Sequence, residues 1–264
     1  MDNAVKLDKI SVGYDEMIII DDLSISFPKG KMISIIGANG CGKSTLLKTI
    51  GRIINKKEGT IFVNDMDINK MKRKSLAKIL SILPQSPQAP ASLTCYELVA
   101  YGRFPYQKGL GKLSNEDKKW IDWALQATHM TDFKNRAINN LSGGQRQRIW
   151  IAMALAQQTD IIMLDEPTTY LDLCHQLEIL SLLSKLNKEN KTTIIMVLHD
   201  INLAARYSDY LVAMKDGKVF DYGPVNDVFN ERMLQECFTI KGEIMMDKKK
   251  EKPVCISYDL LKEI

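Results

Sequence analysis

Met32-Ile33-Ser34-Ile35-Ile36-Gly37-Ala38-Asn39-Gly40-Cys41-Gly42-Lys43-Ser44-Thr45 is the stretch on which the reading of this chain turns. Its first five residues are nearly all apolar and predict a short buried strand that ends at Gly37. Leu46, Leu47 and Ile50 then predict a helix closing near Ile54. Between strand and helix, the run from Gly37 to Ser44 fits GxxxxGK[ST] in full. The glycines let successive backbone N–H groups turn inward around a phosphate, and the helix adds its N-terminal donors and positive dipole end. Lys43 supplies a point charge for β- and γ-phosphates, and the Ser44 hydroxyl suits a magnesium ion. Strand, loop and helix in this order predict nucleotide binding.

Further along, Ile161-Ile162-Met163-Leu164-Asp165-Glu166 is an apolar strand ending in two carboxylates. The pair invites a division of labour. Asp165 is expected beside the metal, and Glu166 is expected to orient or deprotonate a water for in-line attack. A third apolar run, residues 193–198, is also a strand. Between the second and third lies a helix with Leu173, Leu177, Leu180, Leu183 and Leu186 at three- or four-residue spacing. The alternation predicts an α/β fold, with this last portion a right-handed βαβ unit.

Two regions depart from that alternation. Residues 86–158 carry almost no strand signal, contain Pro87, Pro90, Pro105, Gly109 and Gly111, and then a helix that Ser114 and Asp117 are placed to cap. They read as an inserted helical subdomain. Near the C-terminus, Asp216-Gly217 separates two apolar runs, residues 211–214 and 219–222, as a hairpin turn. The segment beyond Val225 reads as a tail of no evident role, and Lys248-Lys249-Lys250 as a solvated turn.

Composition narrows the class. Of the 264 residues 45% are hydrophobic and 26% charged, the balance of a globular chain rather than a disordered or fibrous one. A net charge of +4 with no basic stripe predicts no nucleic-acid partner. No apolar run approaches the roughly 18 residues that cross a bilayer. Met1-Asp2-Asn3-Ala4 lacks the pattern of a secretory leader, so a cytosolic location is expected. Cys41, Cys95, Cys174, Cys237 and Cys255 are scattered and odd in number, which argues against a zinc site or a disulfide framework.

Leu141-Ser142-Gly143-Gly144-Gln145 opens a helix through Ile149, Ala152 and Leu155 just before the acidic strand. A Ser-Gly-Gly at a helix N-terminus is a second anion-binding end. With this pentapeptide the chain resembles the nucleotide-binding subunits of ABC transporters, from about residue 6 to residue 229. The resemblance implies an α/β P-loop NTPase core with an N-terminal antiparallel β region and an inserted helical subdomain. It divides a single domain, 1–264, into a RecA-like core with its β subdomain (1–85 and 159–225), the helical signature subdomain (about 86–158) and the tail (about 226–264). It also implies a homodimer in which each ATP lies between one phosphate loop and the partner's LSGGQ. In that arrangement Gly37, Asn39, Gly40, Cys41, Gly42, Lys43, Ser44 and Thr45 hold ATP from one copy, and Ser142, Gly143, Gly144 and Gln145 from the other. Tyr14 resembles the aromatic that stacks on adenine. Gln85 resembles the glutamine that touches magnesium and the attacking water, joining Ser44 and Asp165 as metal ligands. Asp172, in Leu171-Asp172, matches the loop that crosses the dimer interface. His199 resembles the histidine that contacts the γ-phosphate, completing a catalytic set with Glu166 and Gln85. ATP and Mg²⁺ are the implied cofactors.

The finer resemblance is to importers of iron–siderophore complexes, haem and cobalamin. It rests on Tyr101-Gly102-Arg103-Phe104-Pro105-Tyr106, Leu171-Asp172-Leu173-Cys174-His175-Gln176-Leu177-Glu178 and His199-Asp200-Ile201-Asn202-Leu203-Ala204-Ala205-Arg206-Tyr207. An ATP-hydrolysing subunit for iron–siderophore uptake is therefore expected, peripheral on the cytoplasmic face of the membrane. Its partners would be integral permease subunits and, indirectly, an extracytoplasmic substrate-binding protein. The alternatives are haem, cobalamin or another metal cargo, or a soluble ABC ATPase with no transport role. Cys41 replaces a usual serine in the cradle. Lys43 and the helix end are expected to lower its pKa and make ATP binding sensitive to alkylation.

Overall fold

The computed structural model describes residues 2–90, 92–107, 112–169 and 171–261. Met1 and the breakers Gly109 and Gly111 lie outside them. In chain order the strands are β1 (Asn3–Tyr14), β2 (Met17–Pro28), β3 (Met32–Gly37), β4 (Glu58–Val63), β5 (Met66–Asp67), β6 (Leu80–Leu83), β7 (Ile161–Asp165), β8 (Thr193–Val197), β9 (Tyr210–Lys215), β10 (Lys218–Pro224), β11 (Ile240–Asp247) and β12 (Lys252–Leu260). The helices are α1 (Lys43–Ile50), α2 (Arg73–Leu76), α3 (Cys95–Tyr101), α4 (Asn115–Ala127), α5 (Gly143–Ala156), α6 (Leu173–Asn190), α7 (Ile201–Tyr207), α8 (Val225–Val228) and α9 (Glu231–Phe238). The chain divides into two units, Met1–Lys70 with Thr193–Ile264, and Met71–Thr192.

In the first unit, β2-β1-β4-β5 form an antiparallel sheet. Val5, Leu7, Ile10 and Val12 of β1 are buried, as are Ile20, Leu23, Ile25 and Phe27 of β2. A second sheet has β3 between β8 and β9, parallel to both, with β10 antiparallel to β9. All six residues of β3 are buried, which is why its sequence is apolar on both faces, with Ser34 the one polar exception, rather than alternating. The phosphate loop thus starts from the interior of a sheet.

The predicted turn at Asp216-Gly217 joins β9 to β10, with both residues at positive φ, 47° and 74°, as a tight two-residue hairpin requires. Gly217 is also pressed into place. Its N–H donates to the Cys41 carbonyl at 3.1 Å, and a Cβ there would stand 1.9 Å from the Ile19 carbonyl oxygen.

The helix after the phosphate loop ends at Ile50, not near Ile54. The Gly51 N–H closes the last turn on the Leu47 carbonyl, and Arg52 turns left-handed at φ 54°. The described residues of the C-terminal segment form α8, α9 and the antiparallel hairpin β11–β12, with residues 248–250 in its exposed turn.

In the second unit, β6 runs parallel to β7, Leu80 opposite Ile161 and Leu83 opposite Leu164. Between them the described residues are helical or irregular, with one isolated bridge, Thr94 to Ala137. Ser114 caps α4 as expected: its Oγ accepts the Asp117 N–H at 3.1 Å, and Asp117 Oδ2 accepts the Ser114 N–H at 2.9 Å. The other Asp117 oxygen accepts from Arg103 Nε at 2.8 Å, and Arg103 Nη1 donates to the Ala156 carbonyl at 2.8 Å. That buried pair ties the end of α3 to both α4 and α5. Removing one member would strand the other charge, at a cost of about 3–5 kcal/mol. From Ile149 onward α5 is buried on nearly all sides, so its polar first turns are what remain at the surface. Among the described residues no helix is long and apolar enough to cross a membrane.

Candidate functional site

The first unit carries the phosphate loop. Gly37 leaves β3 at φ 147°, and a Cβ there would lie 2.2 Å from the Met214 carbonyl oxygen, so both conformation and space demand glycine. Gly42, at φ 101°, is the N-cap of α1 and brings no side chain to the first-turn N–H groups. No acidic residue stands in that turn. A helix end of this kind suits an external anion. Lys43 is buried, and its Nζ donates to the Gly37 and Ala38 carbonyls at 2.8 Å each. The ammonium is held at the mouth of the cradle by neutral acceptors, partners that a phosphate outcompetes.

Cys41 does not behave as its neighbours in sequence suggest. Burial pushes its thiol up, and the opposing pull of the Lys43 ammonium, whose Nζ lies 3.8 Å from Sγ, does not offset it. A protonated, buried thiol is a poor nucleophile, so the expected ready alkylation loses its physical basis.

Tyr14 ends β1 opposite Met17 and is 49% exposed, so it is no core residue. The partner strand β2 borders the phosphate loop: a Cβ on Gly42 would lie 3.2 Å from Ile20 and 3.5 Å from Ile19. Tyr14 therefore rides on the hairpin that flanks the cradle. A base stacked on an exposed ring gains about 1–3 kcal/mol. Tyr14→Ala is expected to weaken nucleotide affinity between about fivefold and 100-fold by calorimetry. Affinity held within twofold would remove Tyr14 from the site. His199 follows β8 and is exposed, which sets aside a packing role in the core. Asp200 after it caps α7, accepting the Leu203 N–H at 2.9 Å.

The second unit carries the carboxylates. Asp165 ends β7 at 2% exposure, and Glu166 follows at 8%, with its backbone left-handed at φ 54°. A buried glutamate in that conformation is strained by about 1–3 kcal/mol, as residues at reactive sites often are. The structure brings Gln85 to it: Gln85 Nε2 donates to Glu166 Oε2 at 2.6 Å. Thr169 Oγ1 donates to the same oxygen at 3.0 Å. Sequence reading did not single out Thr169. Its signal was a hydroxyl three residues beyond the carboxylate, in the turn that Pro167 opens and the Thr169 N–H closes on the Glu166 carbonyl.

Ser142 is the N-cap of α5. Its Oγ accepts the Gln145 N–H at 3.2 Å, and Gln145 Oε1 accepts the Ser142 N–H at 3.1 Å. Gly143 is exposed, and a Cβ there would meet nothing within 4 Å. Gly144 instead faces Leu171 and His175, with a Cβ 3.6 and 3.7 Å from them. His175 bonds Asp172, whose Oδ1 accepts its N–H at 2.9 Å and lies 2.7 Å from its Nδ1. Those hydrogen bonds hold the Asp172 carboxyl below its ordinary range. The LSGGQ end and the Leu171-Asp172 segment thus meet through His175, which the sequence marked only by resemblance.

With this geometry in view, the relatives can be read. The profile of the ABC transporter family matches residues 20–169. The iron(3+)-hydroxamate import ATP-binding protein FhuC of Bacillus subtilis (strain 168) is 52% identical over 260 residues, 98% of this chain and 97% of its own. The ferric enterobactin transport ATP-binding protein FepC of Escherichia coli (strain K12) is 38% identical, over 91% of this chain and 89% of its own. Among solved structures, the dimeric post-hydrolysis form of the ATP-binding cassette MJ0796 with ADP and phosphate superimposes with a TM-score of 0.73 at 32% identity, over 83% of this chain and 98% of that one. A phosphate loop, a paired carboxylate end and an LSGGQ helix on an α/β cassette, together with kinship along almost the whole chain, have one reading: the chain belongs to the ABC transporter family, as an ATP-binding, ATP-hydrolysing member.

Proposed function

We propose that this chain powers the import of ferric siderophore chelates, working as a pair of copies against integral permease subunits on the cytoplasmic face of the membrane. The supporting observation is the 52% identity to the hydroxamate import protein, sustained over 98% of the chain. In this reading Tyr14 stacks on the adenine, and the loop from Gly37 through Asn39, Gly40 and Cys41 to Gly42, with the first turn Lys43, Ser44 and Thr45, surrounds the phosphates. Lys43 exchanges two neutral carbonyls for phosphate oxygens. The partner copy closes the site with its Ser142, Gly143, Gly144 and Gln145, and Asp172 lies at the same seam. Glu166 takes a proton from the attacking water, Gln85 orients that water, and His199 contacts the γ-phosphate.

The donor set Ser44, Asp165 and Gln85 consists of a hydroxyl, a carboxylate and an amide oxygen. Such hard oxygen ligands fit Mg²⁺. When bound there, the ion neutralises charge on the phosphate oxygens. Closure on ATP supplies contacts absent from the open pair, so binding energy itself can drive the stroke passed to the permease.

The test is uptake of radioactive iron as a hydroxamate chelate in source cells lacking this chain. Uptake is expected to fall to background and return with the intact chain but not with Glu166→Gln. Undiminished uptake would sink the proposal. Loss of haem or cobalamin uptake instead would move the cargo.

A further inference from the structure

The C-terminal hairpin raises a question the nucleotide site does not answer: what it is for. Its position gives the answer. Helix α7 begins two residues after His199 and has only seven residues, too few to hold an orientation without tertiary ties. Its far end is fixed to the central sheet, where Ser208 Oγ lies 2.6 Å from Ser34 Oγ of β3. Its near end is held by the hairpin. Asn202 Nδ2 donates to the Cys255 carbonyl at 3.0 Å, and Asn202 Oδ1 accepts the Cys255 N–H at 2.8 Å.

A side-chain amide has the donor and acceptor of a peptide unit, so Asn202 acts for one residue as an extra strand along the edge of β12. Alanine offers neither group, and aspartate offers only the acceptor. Two further ties run the same way. Lys252 Nζ donates to the Ser208 carbonyl at 2.8 Å, and Arg206 Nη1 lies 3.4 Å from Asp247 Oδ2.

We propose that the hairpin β11–β12 is a positioning element for hydrolysis, holding His199 in register through the Asn202–Cys255 pair. Asn202 is a positioning residue, not a catalytic one. The inference rests on the reading of His199 as the γ-phosphate contact. Misplacing a reacting contact by about 1 Å costs up to about 100-fold in rate while leaving ground-state binding little changed. The expected signature is thus a loss of kcat without loss of affinity.

The experiment uses the full-length chain as wild type, Asn202→Ala, Asn202→Asp, His199→Ala, the double variant Asn202→Ala/His199→Ala, and Lys249→Ala in the hairpin turn. For each, kcat, the ATP dissociation constant and Tm are measured. Asn202→Ala is expected to lower kcat about tenfold or more, to keep ATP affinity within twofold, and to add nothing to His199→Ala. Asn202→Asp keeps the acceptor for the Cys255 N–H and loses the donor, so a kcat loss of at least about threefold is expected even if the alanine variant does not fold. Lys249→Ala should match wild type. Wild-type kcat in both Asn202 variants, with His199→Ala inactive, overturns the inference and spares the reading of His199. Wild-type kcat in His199→Ala overturns that reading, and the inference with it. Parallel loss of kcat, affinity and Tm in both Asn202 variants, or additivity of a folded Asn202→Ala with His199→Ala, shows a structural support only and also overturns it.

Discussion

Glu166→Gln is expected to reduce kcat by about 100- to 10,000-fold while leaving the ATP dissociation constant within threefold. The substitution removes the charge that takes the proton but keeps an oxygen to accept the hydrogen bonds of Gln85 and Thr169 at 2.6 and 3.0 Å. The site therefore stays assembled, and the strained backbone at φ 54° is untouched, because both residues carry the same Cβ. With hydrolysis stopped and nucleotide bound, the pair of copies should persist. Light scattering in MgATP is expected to give twice the monomer mass for Glu166→Gln, and the monomer mass without nucleotide. Turnover within tenfold of wild type would show that Glu166 is not the base.

Lys43→Ala carries the second large effect, on binding rather than chemistry. Charge-assisted hydrogen bonds contribute about 1.5–3 kcal/mol each. In the proposed site Lys43 trades two uncharged acceptors for anionic phosphate oxygens, and the net loss of one charge-assisted bond, about 2.7 kcal/mol, is expected to weaken the dissociation constant about 100-fold. Calorimetric titration with MgATP measures it directly. Lys43→Arg should recover little, because a planar guanidinium does not fit a cradle built for a point charge. Combined with Glu166→Gln, Lys43→Ala should also abolish the ATP-induced dimer. Affinity within threefold of wild type would remove the ammonium from the phosphate site.

How much of this was legible in the sequence depends on how local the physics is. The phosphate loop was, because anion binding by backbone N–H groups dictates glycine, lysine and serine at fixed spacing, and β3 before it is buried on both faces. The cap of α4 was, because Ser114 and Asp117 complete each other within one turn. The end of α1 was misplaced, since Ile53 and Ile54 continue the apolar rhythm while Gly51 and Arg52 break the backbone. The hairpin β11–β12 passed for a tail because Met245, Met246, Ile256, Tyr258 and Leu260 are all exposed, blurring the alternation that marks a strand. Cys41 was misjudged for a different reason. Sequence shows the charge two residues away but not the burial that outweighs it. Contacts such as Thr169 with Glu166 and Asn202 with Cys255 depend on where chain segments meet, which no residue pattern announces.

The hairpin tip at Asp216-Gly217 has a practical corollary for anyone building fusions of this protein. Tight surface turns are the usual places to insert an epitope or a fluorophore. This one is sealed between the Ile19 backbone and the Cys41 carbonyl, so cargo spliced there would pry open the nucleotide cradle itself. Reporters belong instead at the lysine-rich bend of residues 248–250, whose side chains are exposed.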